Sequence, residues 1–329
     1  MTLALPHALT SVVASIPSPP VSYVDVGPLR IHFYALCIIA GIIVAVFLTN
    51  ARLTRRGAEP WVVIDIALLA VPIAIIGARI FHVLTHPGFY FGEGTDPWAV
   101  FRIWEGGIAI FGALLGGAVG AFLGCRWTGI RFWTFADALA PGLLIAQALG
   151  RFGNWFNQEL YGLPTDLPWG LEIDSDNPAF PIGLPADTLF HPTFLYEVIW
   201  NLLGAAVLLW AGRRFRLQWG RLFGLYLIWY GAGRIVWESI RIDPSEIFFG
   251  LRTNVWASII AVLIGIVIVV VQKRRHPGFE PSPYVPGRAW SPAGAVQSDG
   301  TPDDFVDVSE PPAAEDASRD TATSTVAAK

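Results

Sequence analysis

The sequence is poor in charged residues and in cysteine. Only 15% of its 329 residues are Asp, Glu, Lys or Arg, whereas an average soluble protein has roughly 25%. The two cysteines, Cys37 and Cys125, show no CxxC spacing and no neighbouring histidine cluster, which argues against a disulfide framework and against a zinc site. No Lys or Arg occurs between Met1 and Pro20, so the positive start of a cleaved secretory signal is lacking. We therefore expect the membrane-spanning segments themselves to retain the chain in a membrane.

Long apolar segments are what the sequence has instead. They recur with the length of about 20 residues that crosses the hydrocarbon core of a bilayer. Their approximate limits are 31–49, 61–84, 104–124, 132–150, 192–211, 222–240 and 253–272. The sequence thus predicts an all-α, polytopic membrane protein with seven transmembrane helices.

The basic residues between these segments predict an orientation. They follow the first, third, fifth and seventh segments, and they include Arg52, Arg55, Arg56, Arg126, Arg131, Arg213, Arg214, Arg216, Arg221, Lys273, Arg274 and Arg275. These are alternate loops, so they lie on one side, and the positive-inside rule makes that side cytoplasmic. We expect the N-terminus outside and the C-terminus in the cytoplasm.

Composition divides the chain into three parts. Residues 1–24 are an expected extracytoplasmic segment, 25–276 the membrane-embedded domain, and 277–329 a disordered, acidic cytoplasmic tail. The tail has nine acidic and three basic residues, a net charge of −6 within a total of −4, which leaves +2 for the rest. Neither part is basic enough to suggest nucleic-acid binding. Residues 151–191, on the outer side, are rich in Pro and aromatics, and they are too long for a mere connector.

The sixth apolar segment carries a polar stripe. Tyr230, Arg234, Glu238 and Arg241 are spaced by four, four and three residues, which places them on one face of a helix. A charge at the bilayer centre costs at least about 2.5–3.5 kcal/mol, so this face must turn to the interior of the bundle. An Arg234–Glu238 ion pair that only fixes helix packing explains the stripe as well as a functional site does.

A second polar group lies at the end of the fourth segment. The run from Gly150 to Gly162 contains an arginine, two asparagines, a glutamate and three glycines. Arginine offers a planar fork that suits phosphate, and glycine lets a ligand approach the backbone. A lipid phosphate at the outer membrane interface fits this chemistry. The alternative is a polar helix cap, which rarely needs so many polar groups.

This run resembles the signature of bacterial phosphatidylglycerol–prolipoprotein diacylglyceryl transferases. Four other elements resemble the same family in the same order, namely His32–Leu36, Trp104–Gly107, His191-Pro192 with Tyr196-Glu197, and Tyr230-Gly231 with Arg234 and Glu238. The resemblance covers about residues 25–275. It implies a multi-pass protein of the bacterial cell membrane that transfers diacylglyceryl from phosphatidylglycerol to the lipobox cysteine of prolipoprotein signal peptides and releases glycerol phosphate.

The resemblance also implies site residues. The catalytic set is Arg151, Arg234, Glu159 and Glu238, and the phosphatidylglycerol-binding set is Arg151, Asn154, Tyr34, Tyr230, Gly153, Gly162, His191 and Glu197. No metal and no organic cofactor are expected. One position departs from the family, since many members have a histidine where this chain has Phe111 before Gly112. Phenylalanine cannot accept a proton, so the base for the thiol is open among Glu159, Glu238, His191 and a lipid phosphate oxygen.

Two other classes of protein fit the same apolar pattern. A transporter would bind its solute near the midplane of the membrane, whereas the polar run here lies at the outer boundary. A non-catalytic lipid-binding or assembly factor would tolerate loss of Arg234 or Glu159 in an assay of lipoprotein modification, and an enzyme would not.

Overall fold

Seven helices of 19 to 25 residues dominate residues 15–291, the part of the chain that the computed structural model describes. They are α1 (Phe33–Thr54), α2 (Val62–Thr85), α4 (Ile110–Thr128), α5 (Phe132–Phe156), α6 (Thr193–Arg214), α7 (Arg221–Ile240) and α8 (Thr253–Arg275). A four-residue helix α3 (Gly88–Phe91) and two 3-10 turns (Pro97–Phe101 and Ile103–Glu105) lie between α2 and α4.

Six of these long helices, all except α7, are apolar and long enough to cross a membrane, within the described residues. Helix α7 carries Arg234 and Glu238 in its last two turns.

The predicted and observed limits differ most at two helices, α4 and α5. Helix α4 begins at Ile110 instead of 104, because Gly106 and Gly107 have φ values of 92° and 72°, which a right-handed helix excludes.

Helix α5 differs at its other end. It continues to Phe156, so residues 151–156 are helical, whereas the sequence analysis placed them in the outer segment. The connection between α5 and α6 therefore begins at residue 157. This correction matters for the site, because Arg151 and Asn154 are held by a rigid helix and not by a loop.

Three two-stranded antiparallel ribbons in the described part correct the all-α prediction. Strands β1 (Tyr23–Val26) and β2 (Leu29–His32) pair directly before α1. Strands β3 (Leu171–Glu172) and β4 (Leu189–Phe190) pair within the α5–α6 connection. Strands β5 (Ile247–Phe248) and β6 (Leu251–Arg252) form a hairpin directly before α8. Short strands of this kind escaped a search for long apolar segments.

Small residues let α2 and α4 pack backbone against backbone. The α4 glycines at four-residue spacing, Gly112, Gly116, Gly120 and Gly124, are all buried. A Cβ at Gly120 would lie 2.7 Å from the Cα of Ala70, and one at Gly124 would lie 2.9 Å from the Cα of Ile66. Close approach through small residues is a common way for helices to associate in membranes.

Helix α7 is fixed against its neighbours at two levels. At its N-terminus, the Asp137 carboxylate of α5 accepts hydrogen bonds from the backbone N–H groups of Gly220 and Phe223, both at 2.8 Å. Further along, the indoles of Trp200 in α6 and Trp229 in α7 stack with centroids 4.6 Å apart. Each indole N–H donates to the other residue's carbonyl at 3.1 Å. These contacts set the position of α7 relative to α5 and α6.

Residues 277–291 pack against the α4–α5 and α6–α7 connections, so the predicted disorder is wrong for this stretch. Glu280 is fully buried and accepts hydrogen bonds from Thr134 Oγ1 at 2.7 Å and from Trp219 N at 2.8 Å. Tyr284 is also buried, and its hydroxyl accepts from Glu59 N at 2.8 Å. The remainder of the predicted tail, 292–329, lies outside the described residues, as do residues 1–14 of the predicted N-terminal segment.

Candidate functional site

The last two turns of α5 hold the first half of a polar cluster. Arg151 Nη1 donates to Asn154 Oδ1 at 3.1 Å, and Asn154 Nδ2 donates to Glu159 Oε1 at 2.8 Å. Asn157 Nδ2 also donates to Glu159 Oε1, at 3.3 Å. Residues three apart are neighbours on a helix surface, which explains the Arg151–Asn154 contact. Glu159 is thus tied back to the helix by two neutral amide groups.

Glu197 of α6 joins the two arginines that the sequence analysis singled out. Its Oε2 lies 2.7 Å from Arg151 Nη2 and 3.9 Å from Arg234 Nη1. The residue is buried, at 4% exposure, so the negative charge is shielded from water and needs these partners. These contacts bring Arg151 and Arg234, both named as candidate catalytic residues by the sequence analysis, to one carboxylate.

Glu238 of α7 is the centre of the second half. It is fully buried. Its Oε2 lies 2.9 Å from Arg234 Nη2 and 3.4 Å from Arg241 Nη1, and its Oε1 lies 3.0 Å from Asn254 Nδ2 and 3.4 Å from Arg252 Nε. Every side of this carboxylate is therefore occupied by a donor, three of them cationic.

Beyond Glu238, the sequence analysis placed Arg241 on the polar stripe but missed Asp243, Arg252 and Asn254. Arg241 donates to both carboxylate oxygens of Asp243, at 2.7 and 2.8 Å. Burial alone would lower the pKa of Arg241, but the hydrogen bond to Asp243 and the negative charges of Asp243, Glu238 and Glu197 together outweigh burial and raise that pKa, so Arg241 stays charged. One signal could have found Arg252. The orientation predicted from the sequence puts it on the outer side, where the positive-inside rule makes arginine uncommon.

The ion-paired part of the cluster carries more positive than negative charge. Its members are Arg151, Arg234, Arg241, Arg252, Glu197, Glu238 and Asp243. Four arginines thus face three carboxylates, and Glu159, which accepts hydrogen bonds from the Asn154 and Asn157 amides, is a fourth carboxylate beside them. In addition, Arg234 Nη1 is buried without a hydrogen-bond partner among residues 15–291. A buried donor without a partner costs free energy, and an acceptor atom placed here would remove that cost.

Gly153 and Tyr34 pack directly on each other. A Cβ at Gly153 would overlap Cδ2 of Tyr34 and lie 3.0 Å from its Cε2. The space above this glycine is therefore filled by an aromatic side chain, which is itself 37% exposed. Gly153 lets α5 approach α1. The Tyr34 ring therefore packs on the α5 residue that is two positions after Arg151.

Gly162 and His191 form a similar pair in the connection between α5 and α6. Gly162 N donates to His191 O at 3.0 Å, and a Cβ at Gly162 would lie 2.8 Å from the Cβ of His191. The His191 ring is 3.2 Å from the Tyr196 hydroxyl through Nδ1. Among the described residues, His191 forms no hydrogen bond with Arg151 or Arg234. Tyr230, one turn before Arg234 on α7, stacks on Tyr226 with ring centroids 6.0 Å apart.

Replacing Gly153 by Ala should impair the protein through this packing. We expect a loss of about 1–3 kcal/mol in stability, which is typical of an overpacked site, together with a fall in activity. Replacing Tyr34 by Ala in the same chain should restore the stability, since it removes the overlapping ring. Thermal unfolding in detergent measures this. Gly88→Ala is the matched control, because a Cβ there meets nothing within 4 Å. Equal unfolding temperatures for the Gly153 and Gly88 variants would contradict the packing role.

Phe111 lies in an apolar environment. It is in the first turn of α4, and its ring is 6.2 Å from that of Phe81 in α2. The preceding turn, Trp104–Gly107, is held by Arg79 of α2, which donates to the carbonyls of Val100, Gly106 and Gly107 at 2.7, 2.6 and 3.0 Å. Within residues 15–291 no group of three or more His, Cys, Asp or Glu side chains is arranged to hold a metal ion.

Long apolar helices around a buried arginine–carboxylate cluster define a multi-pass membrane protein with a buried polar site. A family profile described as prolipoprotein diacylglyceryl transferase matches residues 21–271, so the chain belongs to this family. Membership decides in favour of a transferase over a transporter or a non-catalytic binding factor.

Curated relatives agree with the family. A phosphatidylglycerol–prolipoprotein diacylglyceryl transferase of Leifsonia xyli is 59% identical over 305 residues, which cover 89% of this chain and 91% of the relative. Proteins with that name from Paenarthrobacter aurescens and Streptomyces coelicolor, the latter numbered 2, are 50% and 49% identical over 267 residues. These alignments cover 79% and 81% of this chain, and 84% of each relative.

Proposed function

We propose that this transferase moves the diacylglyceryl group of phosphatidylglycerol onto the lipobox cysteine of a prolipoprotein. The substrate thiolate attacks the glycerol carbon that bears the phosphate. A C–S bond forms, the C–O bond to phosphate breaks, and glycerol phosphate leaves with the electron pair. The single observation that carries the proposal is the convergence of Arg151 and Arg234 on Glu197, with Arg234 Nη1 buried and free of a hydrogen-bond partner in the described part.

The two arginines are proposed to hold the lipid phosphate. Arginine binds phosphate through two parallel hydrogen bonds, and donors already in place stabilise the negative charge that grows on the leaving phosphate. Glu197 and Glu238 keep the two guanidinium groups in position. Asn154, which is hydrogen-bonded to Arg151 on α5, and Tyr34 of α1, which packs on Gly153, are proposed to orient the headgroup. Tyr230 is four residues before Arg234 and lies on the same face of α7.

The proton of the thiol is proposed to go to Glu159. Glu238 is a poor candidate, because it is fully buried and its two oxygens face three guanidinium groups and an amide. His191 is also a poor candidate, because its Nδ1 is already in contact with the Tyr196 hydroxyl and its Cβ packs against Gly162. Glu159 is half-buried, and within residues 15–291 its carboxylate is hydrogen-bonded only to neutral amides, through Oε1. Its second oxygen is therefore available to a substrate.

We further propose seven membrane spans, with the N-terminus outside and the C-terminus in the cytoplasm. Two observations support α7 as a span. It has 20 residues, and its glycines meet α8 closely, as at Gly224, where a Cβ would lie 2.9 Å from Gly265 O. An odd number of spans also agrees with the basic loops. The site then lies at the outer membrane interface, where the lipid phosphate is.

Transfer of radiolabelled diacylglyceryl from phosphatidylglycerol to a lipobox peptide by the purified protein tests the function. We expect a thioether product both from the wild type and from the Cys37→Ala/Cys125→Ala double variant. Both thiols of the chain are free, but the nucleophile belongs to the substrate. Absence of product from folded wild type would reject the proposed reaction. Loss of product in the double variant alone would instead implicate a cysteine of the enzyme.

A further inference from the structure

We propose that Arg252 and Asn254 are positioning residues, which fix the Glu238 carboxylate so that Arg234 presents Nη1 to the substrate phosphate. The role rests on the proposed function, since it concerns the arginine proposed to hold that phosphate. Both residues lie outside the predicted site. They are brought to it by the β5–β6 hairpin, because Arg252 ends β6 and Asn254 is the second residue of α8.

The hairpin base is joined to the end of α7 by the Arg252 side chain. Arg252 Nη1 donates to the carbonyls of Glu238 and Arg241, both at 3.1 Å, and Nη2 donates to the carbonyl of Asp243. Nη2 also lies 3.2 Å from the Asp243 carboxylate. Last-turn carbonyls of a helix lack partners within the helix, and a cation is favourable there. Arg252 therefore holds the end of α7 in a single arrangement.

The two oxygens of Glu238 face different groups, and this carries the proposal. Oε1 faces the hairpin side, with Asn254 Nδ2 at 3.0 Å and Arg252 Nε at 3.4 Å. Oε2 faces Arg234 Nη2 at 2.9 Å and Arg241 Nη1 at 3.4 Å. Rotation of the carboxylate would move both oxygens together. Donors on Oε1 thus set the direction of Oε2, and Oε2 in turn sets the orientation of the Arg234 guanidinium.

A purely structural role of Arg252 makes a different prediction. If Arg252 only stabilised the hairpin, its loss would lower stability and would change neither the environment of Arg234 nor the effect of a Glu238 substitution. A positioning role requires that the effects of Arg252 and Glu238 be coupled, because they act through one carboxylate. The two roles can therefore be separated by experiment.

The first measurement follows Arg234 directly. Purified protein in detergent is treated with phenylglyoxal, which modifies arginine, and labelling of Arg234 is followed by peptide mass spectrometry. We expect Arg252→Gln and Asn254→Ala to label Arg234 several-fold faster than the wild type. Arg30→Gln is the matched control, since Arg30 also lies in a two-stranded hairpin before a long helix and pairs with Asp25 at 3.0 Å. Unchanged labelling of Arg234 in both test variants overturns the proposal.

The second measurement is the rate of transfer. We expect kcat/KM for phosphatidylglycerol to fall about tenfold to a hundredfold in Arg252→Gln, as for the loss of hydrogen bonds to a charged group. In a Glu238→Gln background the same change should add little. Full additivity of the two losses indicates a structural role alone and overturns the proposal. If the wild type transfers nothing while Arg252→Gln and Asn254→Ala still speed the labelling of Arg234, the proposed function fails and the positioning role stands.

Discussion

Arg151→Ala is expected to abolish diacylglyceryl transfer while the protein still inserts into the membrane. Arg151 is proposed to donate to the substrate phosphate, and removal of one such donor costs about a hundredfold to a thousandfold in rate. The change also deprives the buried Glu197 of its contact at 2.7 Å and Asn154 of its donor at 3.1 Å. We therefore expect a fall of at least about a thousandfold, measured as thioether product per enzyme.

Two companion variants make this result interpretable. Arg151→Lys keeps the charge but not the planar fork, so its activity should lie between those of the wild type and Arg151→Ala. Arg102→Ala removes an arginine of the α2–α4 connection that pairs with Asp96 and Glu105 at the protein surface, and this variant should transfer at nearly the wild-type rate. A fully active Arg151→Ala enzyme would remove this residue from the site and with it the main support for the phosphate-binding arrangement.

The part of the site that could be predicted from the sequence depends on helix geometry. The spacing of Arg234 and Glu238 on one helix implies a contact, and the structure has it at 2.9 Å. The cost of burying Arg151 in a membrane likewise implies a carboxylate partner. Which carboxylate it would be did not follow, because Glu197 is 46 positions away and only the packing of α6 on α5 brings it near.

The part that could not be predicted depends on short irregular segments. Arg252 and Asp243 reach the site because residues 243–254 fold back as a hairpin, which has two residues in each strand. Such short strands have no periodic pattern to detect. The order of residues 277–291 was missed for a related reason. Their Pro-rich composition is typical of disorder, yet one buried carboxylate and one buried tyrosine attach them to the body.

Glu238→Ala should be the most damaging substitution for stability. The carboxylate is fully buried and lies within 3.4 Å of three arginines. Its removal leaves these cations facing only Glu197 and Asp243, and breaking a buried pair in this way costs about 3–5 kcal/mol. We expect a clear fall in the unfolding temperature in detergent, together with loss of transfer, because Arg234 then has no fixed orientation.

The contrast with Arg151→Ala separates a residue that holds the site from one that acts on substrate. Arg151→Ala should lose transfer with a smaller fall in unfolding temperature than Glu238→Ala, because Glu197 still has Arg234 at 3.9 Å, whereas Glu238→Ala deprives three arginines of their shared carboxylate. Glu105→Ala is the control, because Glu105 pairs with Arg102 but is half-exposed, and exposed pairs contribute about 0–1 kcal/mol. A Glu238→Ala protein as stable as the Glu105→Ala protein would mean that the guanidinium groups find other partners. The buried carboxylate would then not be what orders the arginines of the site.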